Sequence, residues 1–194
     1  NAIMKRVLVT GGGGFLGTAV VMQLLEEGYT VKVAGRNRYD NLVRLGVECL
    51  VGDIGDKVFT DQACRNVDTV FHVAAKAGIW GSSHEFARAN LDGTVNIVNG
   101  CRRNDVGCLV HTSTPSVVFN GTSIEGGDES LPYAEKFLCD YARTKAAAEQ
   151  YVLENSDDQL RVCALRPHLI WGPGDPHLIP RLIDRGRKGS LKIV

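Results

Sequence analysis

Short apolar runs alternate along the chain with stretches in which apolar residues recur every three or four positions. The runs at 5–10 (KRVLVT), 30–34, 47–51, 69–74 (TVFHVA), 108–112 and 160–166 predict strands. The helix-period stretches predict helices over 15–27, ended by Gly28, and over 56–65, 86–103, 140–154 and 176–188. Strands alternating with helices predict an α/β domain, a parallel sheet covered by helices on both faces. One stretch departs from the pattern. Residues 114–139 are rich in Gly, Ser, Asp and Pro, and a connection of that length is usually functional. Residues 191–194 (LKIV) read as the start of a further strand, so the chain is expected to be part of a longer one. Asn1-Ala2-Ile3-Met4 reads as a tag remnant ahead of a native Met4 and not as a signal peptide.

Composition narrows the function classes. The chain has 194 residues, 44% of them hydrophobic, enough for one domain with a sizeable core. Its 22 basic and 22 acidic residues cancel, which gives no electrostatic reason to expect nucleic acid or an anionic membrane as partner. No apolar run approaches the ~18 residues of a membrane span. The six cysteines are scattered among apolar neighbours without a CxxC pair, as in a cytoplasmic protein with reduced core thiols. The histidines form no HExxH pair, and no metal site is expected.

The chemistry starts after the first strand. Thr10-Gly11-Gly12-Gly13-Gly14-Phe15-Leu16-Gly17 opens the first helix and reads as TGxxGxxG. Gly11 permits a tight turn, Gly14 lets backbone approach a pyrophosphate, and Gly17 lets helix and strand pack closely. The helix N-terminus adds N–H groups and a positive partial charge, with Gly13, Phe15 and Leu16 in the same turn. The strand–turn–helix context makes this a dinucleotide site and not merely a glycine-rich turn. An Asp or Glu about 20 residues on would hold the ribose 2′-OH. Here that position is Gly35, followed by Arg36 and then Arg38. Glycine leaves room for a 2′-phosphate and a guanidinium can pair with it, which favours NADP over NAD. After the third strand, Asp53 is either an acceptor for the adenine amino group or a helix cap, with Ile54 beside it.

A second constellation lies in the other half. Tyr141-Ala142-Arg143-Thr144-Lys145 puts Tyr141 and Lys145 on one helix face. A free tyrosine titrates near pH ~10, and an ammonium nearby is expected to lower that value. Thr112, Ser113 and Thr114 end the fifth strand, at the edge where parallel sheets bind ligands. Their hydroxyls can bind a carbonyl oxygen, Thr114 being the preferred candidate and Ser113 the other.

Together these motifs resemble the extended short-chain dehydrogenase/reductases, with the Rossmann-type doubly wound sheet that the family implies. TGGGGFLG matches TGxxGxxG, GDI the adenine-binding Asp53, and HVAAKAG (72–78) the loop past the cofactor. NLDGT (90–94) matches N-x-x-G-T, YARTK matches YxxxK, and RPHLIWGPGD (166–175) matches RPxxIYGPGD. KAGIWG, HTSTPSVVFNG and the segment from Arg166 on resemble the 3β-hydroxysteroid dehydrogenase branch, closest to bacterial members that reduce 2-alkyl-3-oxoalkanoates. The resemblance implies that Tyr141 donates a proton, Lys145 holds the nicotinamide ribose and Thr114 orients the carbonyl. It also implies that Ala74, Ala75, Lys76, Thr112, Pro167, His168 and Leu169 border the cofactor. Asn90 would sit beside the site or act as a packing amide. The family often dimerises through helices that here are 86–103 and 140–154. Its C-terminal part, which shapes the substrate pocket, would begin near 172–194.

The implied activity is hydride transfer between NADP(H) or NAD(H) and a secondary alcohol or ketone of a large, steroid-like or long-chain acyl substrate. Trp80 is expected to be packed, and Lys76 is a weaker candidate for attracting a substrate carboxylate. A nucleotide-sugar epimerase or dehydratase is the alternative. Dehydratases usually follow the active-site Thr with Asp-Glu, where this chain has Pro115-Ser116, and Gly35 replaces the acidic residue usual in epimerases. A catalytically silent nucleotide sensor is a third reading, against which the Tyr–Lys pair stands.

Overall fold

Six parallel strands form one sheet in the order β3-β2-β1-β4-β5-β6. They are β1 (Arg6–Thr10), β2 (Thr30–Gly35), β3 (Glu48–Val51), β4 (Thr69–His72), β5 (Cys108–Thr112) and β6 (Arg161–Leu165). This computed structural model describes residues 5–78, 80–176 and 178–190. The expected tag remnant and the expected extra strand lie outside the described residues.

Side chains along the central strands divide the core in two. Val7, Val9, Val31 and Val33 point to one face, where α1 (Phe15–Glu26) adds Val21 and the short α2 (Asp40–Val43) adds Leu42. Leu8, Ala34, Val70 and Leu109 point to the other. There α3 (Lys57–Ala63) adds Ala63, α5 (Gly93–Arg103) adds Ile97 and Val98, and α6 (Asp140–Glu154) adds Val152. The period of two along a strand produces this split, and burial on both faces explains why β1 reads as an unbroken apolar run. The chain builds outward from β1 through β2 to β3, then returns to lay β4 on the other side of β1. The loops after β1 and β4 therefore diverge and leave a crevice at the carboxyl end of the sheet.

Several boundaries differ from the sequence pattern for identifiable reasons. The helix expected at 86 begins at Ser83, because Ser82 and Glu85 form a capping box. That helix runs through α4 (Ser83–Phe86), a wide π-type turn (Ala87–Asp92) and α5. The wide turn carries the buried Asn90. The cap on α3 is Asp56, which accepts from the N–H groups of Val58 and Phe59, so Asp53 is not the cap. A 3₁₀ turn (Pro115–Val117) opens the long loop and buries Val117 against Ala146 of α6. The last helix, α7 (Leu178–Arg187), buries none of its residues. No helix among the described residues is long and apolar enough to cross a membrane.

Candidate active site

A cleft of about 800 Å³ occupies the crevice, within the range of small-molecule sites. One wall is the glycine turn. Gly11 has φ +69°, and a Cβ there would stand 2.9 Å from the backbone of Ala74. A Cβ on Gly17 would stand 2.1 Å from the Gly11 carbonyl oxygen. Both glycines are thus demanded by close backbone approach. Gly14 differs, because only the Gly11 oxygen, at 3.3 Å, comes near its missing Cβ. Its other side opens to the cleft. Gly14 is also the N-cap of α1, and no side chain caps that helix. The first-turn N–H groups of Phe15, Leu16 and Gly17 are left for a ligand, which fits a pyrophosphate. Gly13 does not line the cleft, because the Tyr39 ring covers it.

The far end is lined by Gly35, Arg36, Asp53 and Ile54. Arg36 is exposed, whereas Arg38 is paired with Asp40 at 3.0 Å. Asp53 Oδ1 accepts from the Gly55 N–H at 2.8 Å, and Oδ2 takes Arg88 at 3.0 Å. These bonds orient the carboxylate at the cleft and leave each oxygen a lone pair. Ala74, Ala75 and Lys76 form the floor. Asn90 clamps this loop by accepting from the Lys76 N–H at 2.7 Å and donating to the Lys76 carbonyl at 3.1 Å. Its amide also donates to Thr144 at 3.2 Å, so the packing role is the one seen. The Lys76 ammonium faces Glu85 at 3.6 Å, which weakens its claim on a substrate carboxylate. Trp80, expected to be packed, is 85% exposed.

Thr112, Ser113, Thr114, Tyr141 and Lys145 meet at the other end of the same cleft. Burial raises the Tyr141 pKa, and the hydrogen bond with Thr114 works against that rise. The expected lowering by Lys145 is not seen, because the ammonium is directed elsewhere. Lys145 donates to the Thr112 carbonyl at 2.6 Å and to His111 Nε2 at 3.3 Å, and one N–H remains for a ligand. Ser113 also borders the cleft, and its buried hydroxyl has no hydrogen-bond partner among the described residues. Thr114 is the hydroxyl whose interaction with Tyr141 offsets the rise, and its oxygen also accepts from the Ser116 N–H at 3.3 Å.

Two histidines beneath the cleft had no role in the sequence pattern. Thr10 Oγ1 accepts from the N–H groups of Val73 and Ala74, so its own hydrogen goes to His72 Nδ1 at 2.7 Å. His72 then carries its proton on Nε2 and donates to Thr94 at 3.0 Å. Thr94 passes its hydrogen to the Asn90 carbonyl at 2.6 Å. The strand leading into the glycine turn is thus tied to the helix that holds Lys76. Burial, helped by the Lys145 charge, pushes His72 down to about 3 and holds His111 well below the usual range. Both rings are neutral, as an acceptor for Lys145 requires.

Burial also lowers Lys145 from 10.5 to about 8. Between those values the unfolded chain holds a proton that the folded chain has released, so this residue makes stability rise with pH across that window. The difference in urea midpoint between wild type and Lys145→Met, followed from pH 7 to 10.5, should grow accordingly. Parallel curves would exclude a depressed Lys145.

The remaining wall comes from Pro167, His168 and Ile170, whereas Leu169 is exposed and does not line the cleft. Glu149, one turn past Lys145 on α6, anchors this wall by accepting from Arg166 at 2.6 Å. It also accepts from Tyr133 of the long loop at 2.9 Å. The sequence carried no signal for Glu149 or for Tyr39, since both act through distant partners. Among the described residues no group of His, Cys, Asp or Glu is arranged to hold a metal.

Comparison with known proteins agrees with this geometry. The chain is 48% identical over 191 residues to 2-alkyl-3-oxoalkanoate reductase of Stenotrophomonas maltophilia, covering 97% of this chain and 58% of the relative. It is 41% identical to the mouse sterol-4-alpha-carboxylate 3-dehydrogenase, decarboxylating, covering 98% of this chain and 52% of the relative. The Thermus thermophilus UDP-glucose 4-epimerase complex with NAD superposes with a TM-score of 0.80 at 32% identity, covering 95% of this chain and 63% of that one. The chain spans about half the length of the curated relatives it matches. Residues 8–194 match the family model as well, and the chain belongs to the 3-beta hydroxysteroid dehydrogenase/isomerase family.

Proposed function

We propose that this chain supplies the nucleotide-binding and proton-transfer half of an NADP(H)-dependent reductase or dehydrogenase acting on a secondary alcohol or ketone. The observation that carries the reading is the convergence of Thr114, Tyr141 and Lys145 in the cleft that begins at the glycine turn. Gly11, Gly14, Gly17 and the α1 N-terminus would hold the pyrophosphate, and Lys145 the nicotinamide ribose. The bound dinucleotide supplies or accepts the hydride. In the reductive direction Thr114 and Tyr141 hold the ketone oxygen, and Tyr141 delivers its proton as the alkoxide forms. A phenol whose pKa is raised by burial keeps that proton at neutral pH, which suits an acid. The substrate is a large apolar ketone, steroid-like or a 2-alkyl-3-oxo acid, as the names of the relatives suggest. Arg36, with no carboxylate at position 35 to oppose it, favours the 2′-phosphate, so NADPH should bind at least about tenfold more tightly than NADH.

The test is a panel of a 3-oxosteroid, a 2-alkyl-3-oxo acid and a UDP-sugar, offered to the full-length protein with each cofactor and followed by nicotinamide absorbance for the ketones and by product analysis for the sugar, because epimerisation leaves the nicotinamide unchanged overall. Turnover of the steroid or the oxo acid with NADPH is expected. Turnover of the sugar alone would favour the epimerase reading, which rests on the structural likeness to NAD-binding epimerases. A clear NADH preference would overturn the role given to Arg36.

A further inference from the structure

We infer that Tyr39 reads the ribose 2′ position in this chain, its phenol hydroxyl standing where other dinucleotide sites place a carboxylate. The inference rests on the NADP(H) reading above and names a residue that the reading does not use. In sheets of this kind the end of β2 faces the adenosine ribose, and an acidic side chain there accepts from the 2′-OH. Gly35 offers no side chain. A Cβ built on it would stand 3.2 Å from the Tyr39 hydroxyl, so the phenol already occupies the place where an acidic side chain would begin.

The ring is held there from several sides. It lies across the glycine turn, where a Cβ on Gly13 would come within 2.0 Å of it. It packs on the buried cluster that contains Val33 and Leu42. Its own carbonyl accepts from the N–H groups of Leu42 and Val43, both at 3.0 Å, which fixes the backbone at the start of α2. Gly13 and Gly35 are thus both needed to seat one aromatic ring. Among the described residues the Tyr39 hydroxyl has no hydrogen-bond partner, and the residue lines the cleft beside Arg36.

The chemistry of that pair selects its ligand. A carboxylate only accepts hydrogen bonds and repels a phosphate. A phenol can donate, and a guanidinium only donates. Side by side they offer donors to a 2′-phosphate and no negative charge against it. A 2′-OH gains much less from the same pair.

The test uses the full-length protein and calorimetric binding of four ligands: NADPH, NADH, 2′,5′-ADP and 5′-ADP. Tyr39→Phe keeps the ring and its packing and removes only the hydroxyl. It should weaken NADPH and 2′,5′-ADP about tenfold, the scale of one hydrogen bond to a charged group. NADH and 5′-ADP should stay within about twofold of wild type. Tyr39→Phe combined with Arg36→Ala should abolish the remaining preference for the 2′-phosphate. If wild type prefers NADPH and Tyr39→Phe leaves the NADPH-to-NADH ratio unchanged, or weakens all four ligands alike, Tyr39 does not read the 2′ position. If wild type itself prefers NADH, the cofactor reading fails first and the proposal falls with it.

Discussion

Tyr141→Phe should lower turnover by about a thousandfold while leaving dinucleotide affinity nearly unchanged. The substitution removes one oxygen and keeps the ring, so the half-buried packing of Tyr141 survives. What is lost is the O–H that interacts with Thr114 at the end of the cleft away from the glycine turn. No other acid stands ready to replace it. Lys145 is engaged with Thr112 and His111, and the Ser113 hydroxyl is an alcohol, far too weak an acid to take over. The glycine turn and the free N–H of Lys145 are untouched, which is why binding should persist. Steady-state kinetics of the full-length protein, paired with calorimetric titration of the cofactor, separates the two effects. Turnover within tenfold of wild type would remove Tyr141 from the chemistry.

The second large effect is on stability. Glu149→Ala should lower it by about 3 kcal/mol, because one partner of a mostly buried ion pair is stranded. The Glu149 side chain is 1% exposed and that of Arg166 21%. Removing the carboxylate leaves a guanidinium with little water and a Tyr133 hydroxyl without its acceptor. Burial by itself would raise the Glu149 pKa, but Arg166 and Tyr133 hold it below its ordinary value. A depressed carboxyl contributes stability above its unfolded pKa, and that contribution fades as pH falls through the folded value. Urea unfolding at neutral pH measures the loss, and Glu149→Leu combined with Arg166→Met should recover part of it. A loss under about 1 kcal/mol would show that the pair is solvated rather than structural. Because Arg166 leads directly into Pro167 and His168, the same variant should also loosen the cleft wall.

Much of this arrangement was legible along the chain. The strand pattern predicted five helices and the whole parallel sheet, because alternation and helical periodicity record which faces are buried. TGxxGxxG and YxxxK were legible because each is local: close approach of neighbouring backbone demands the glycines, and one helical turn brings Tyr141 to Lys145. Thr114 followed from its place at a strand end. The pattern failed where a backbone need was met by a near neighbour of equal plausibility. Asp56 caps α3, which removes one of the two readings left open for Asp53, and Ser82 starts its helix a turn early.

The roles of Tyr39, His72, His111 and Glu149 were not legible. Each depends on a partner brought close by strand order. Thr10 meets His72 across 62 residues and His111 meets Lys145 across 34, because β1 pairs with β4 and β5 ends beneath α6. The elements, the glycine turn and the pairing of Tyr141 with Lys145 on one helix face were set by contacts within a few positions, where sequence and geometry are nearly the same thing. The tautomers of the buried histidines, the direction of the Lys145 ammonium and the filling of the Gly35 gap were settled only by tertiary packing. A side chain's hydrogen-bond partner there is whatever the sheet and its helices place within about 3 Å, and linear spacing does not encode that.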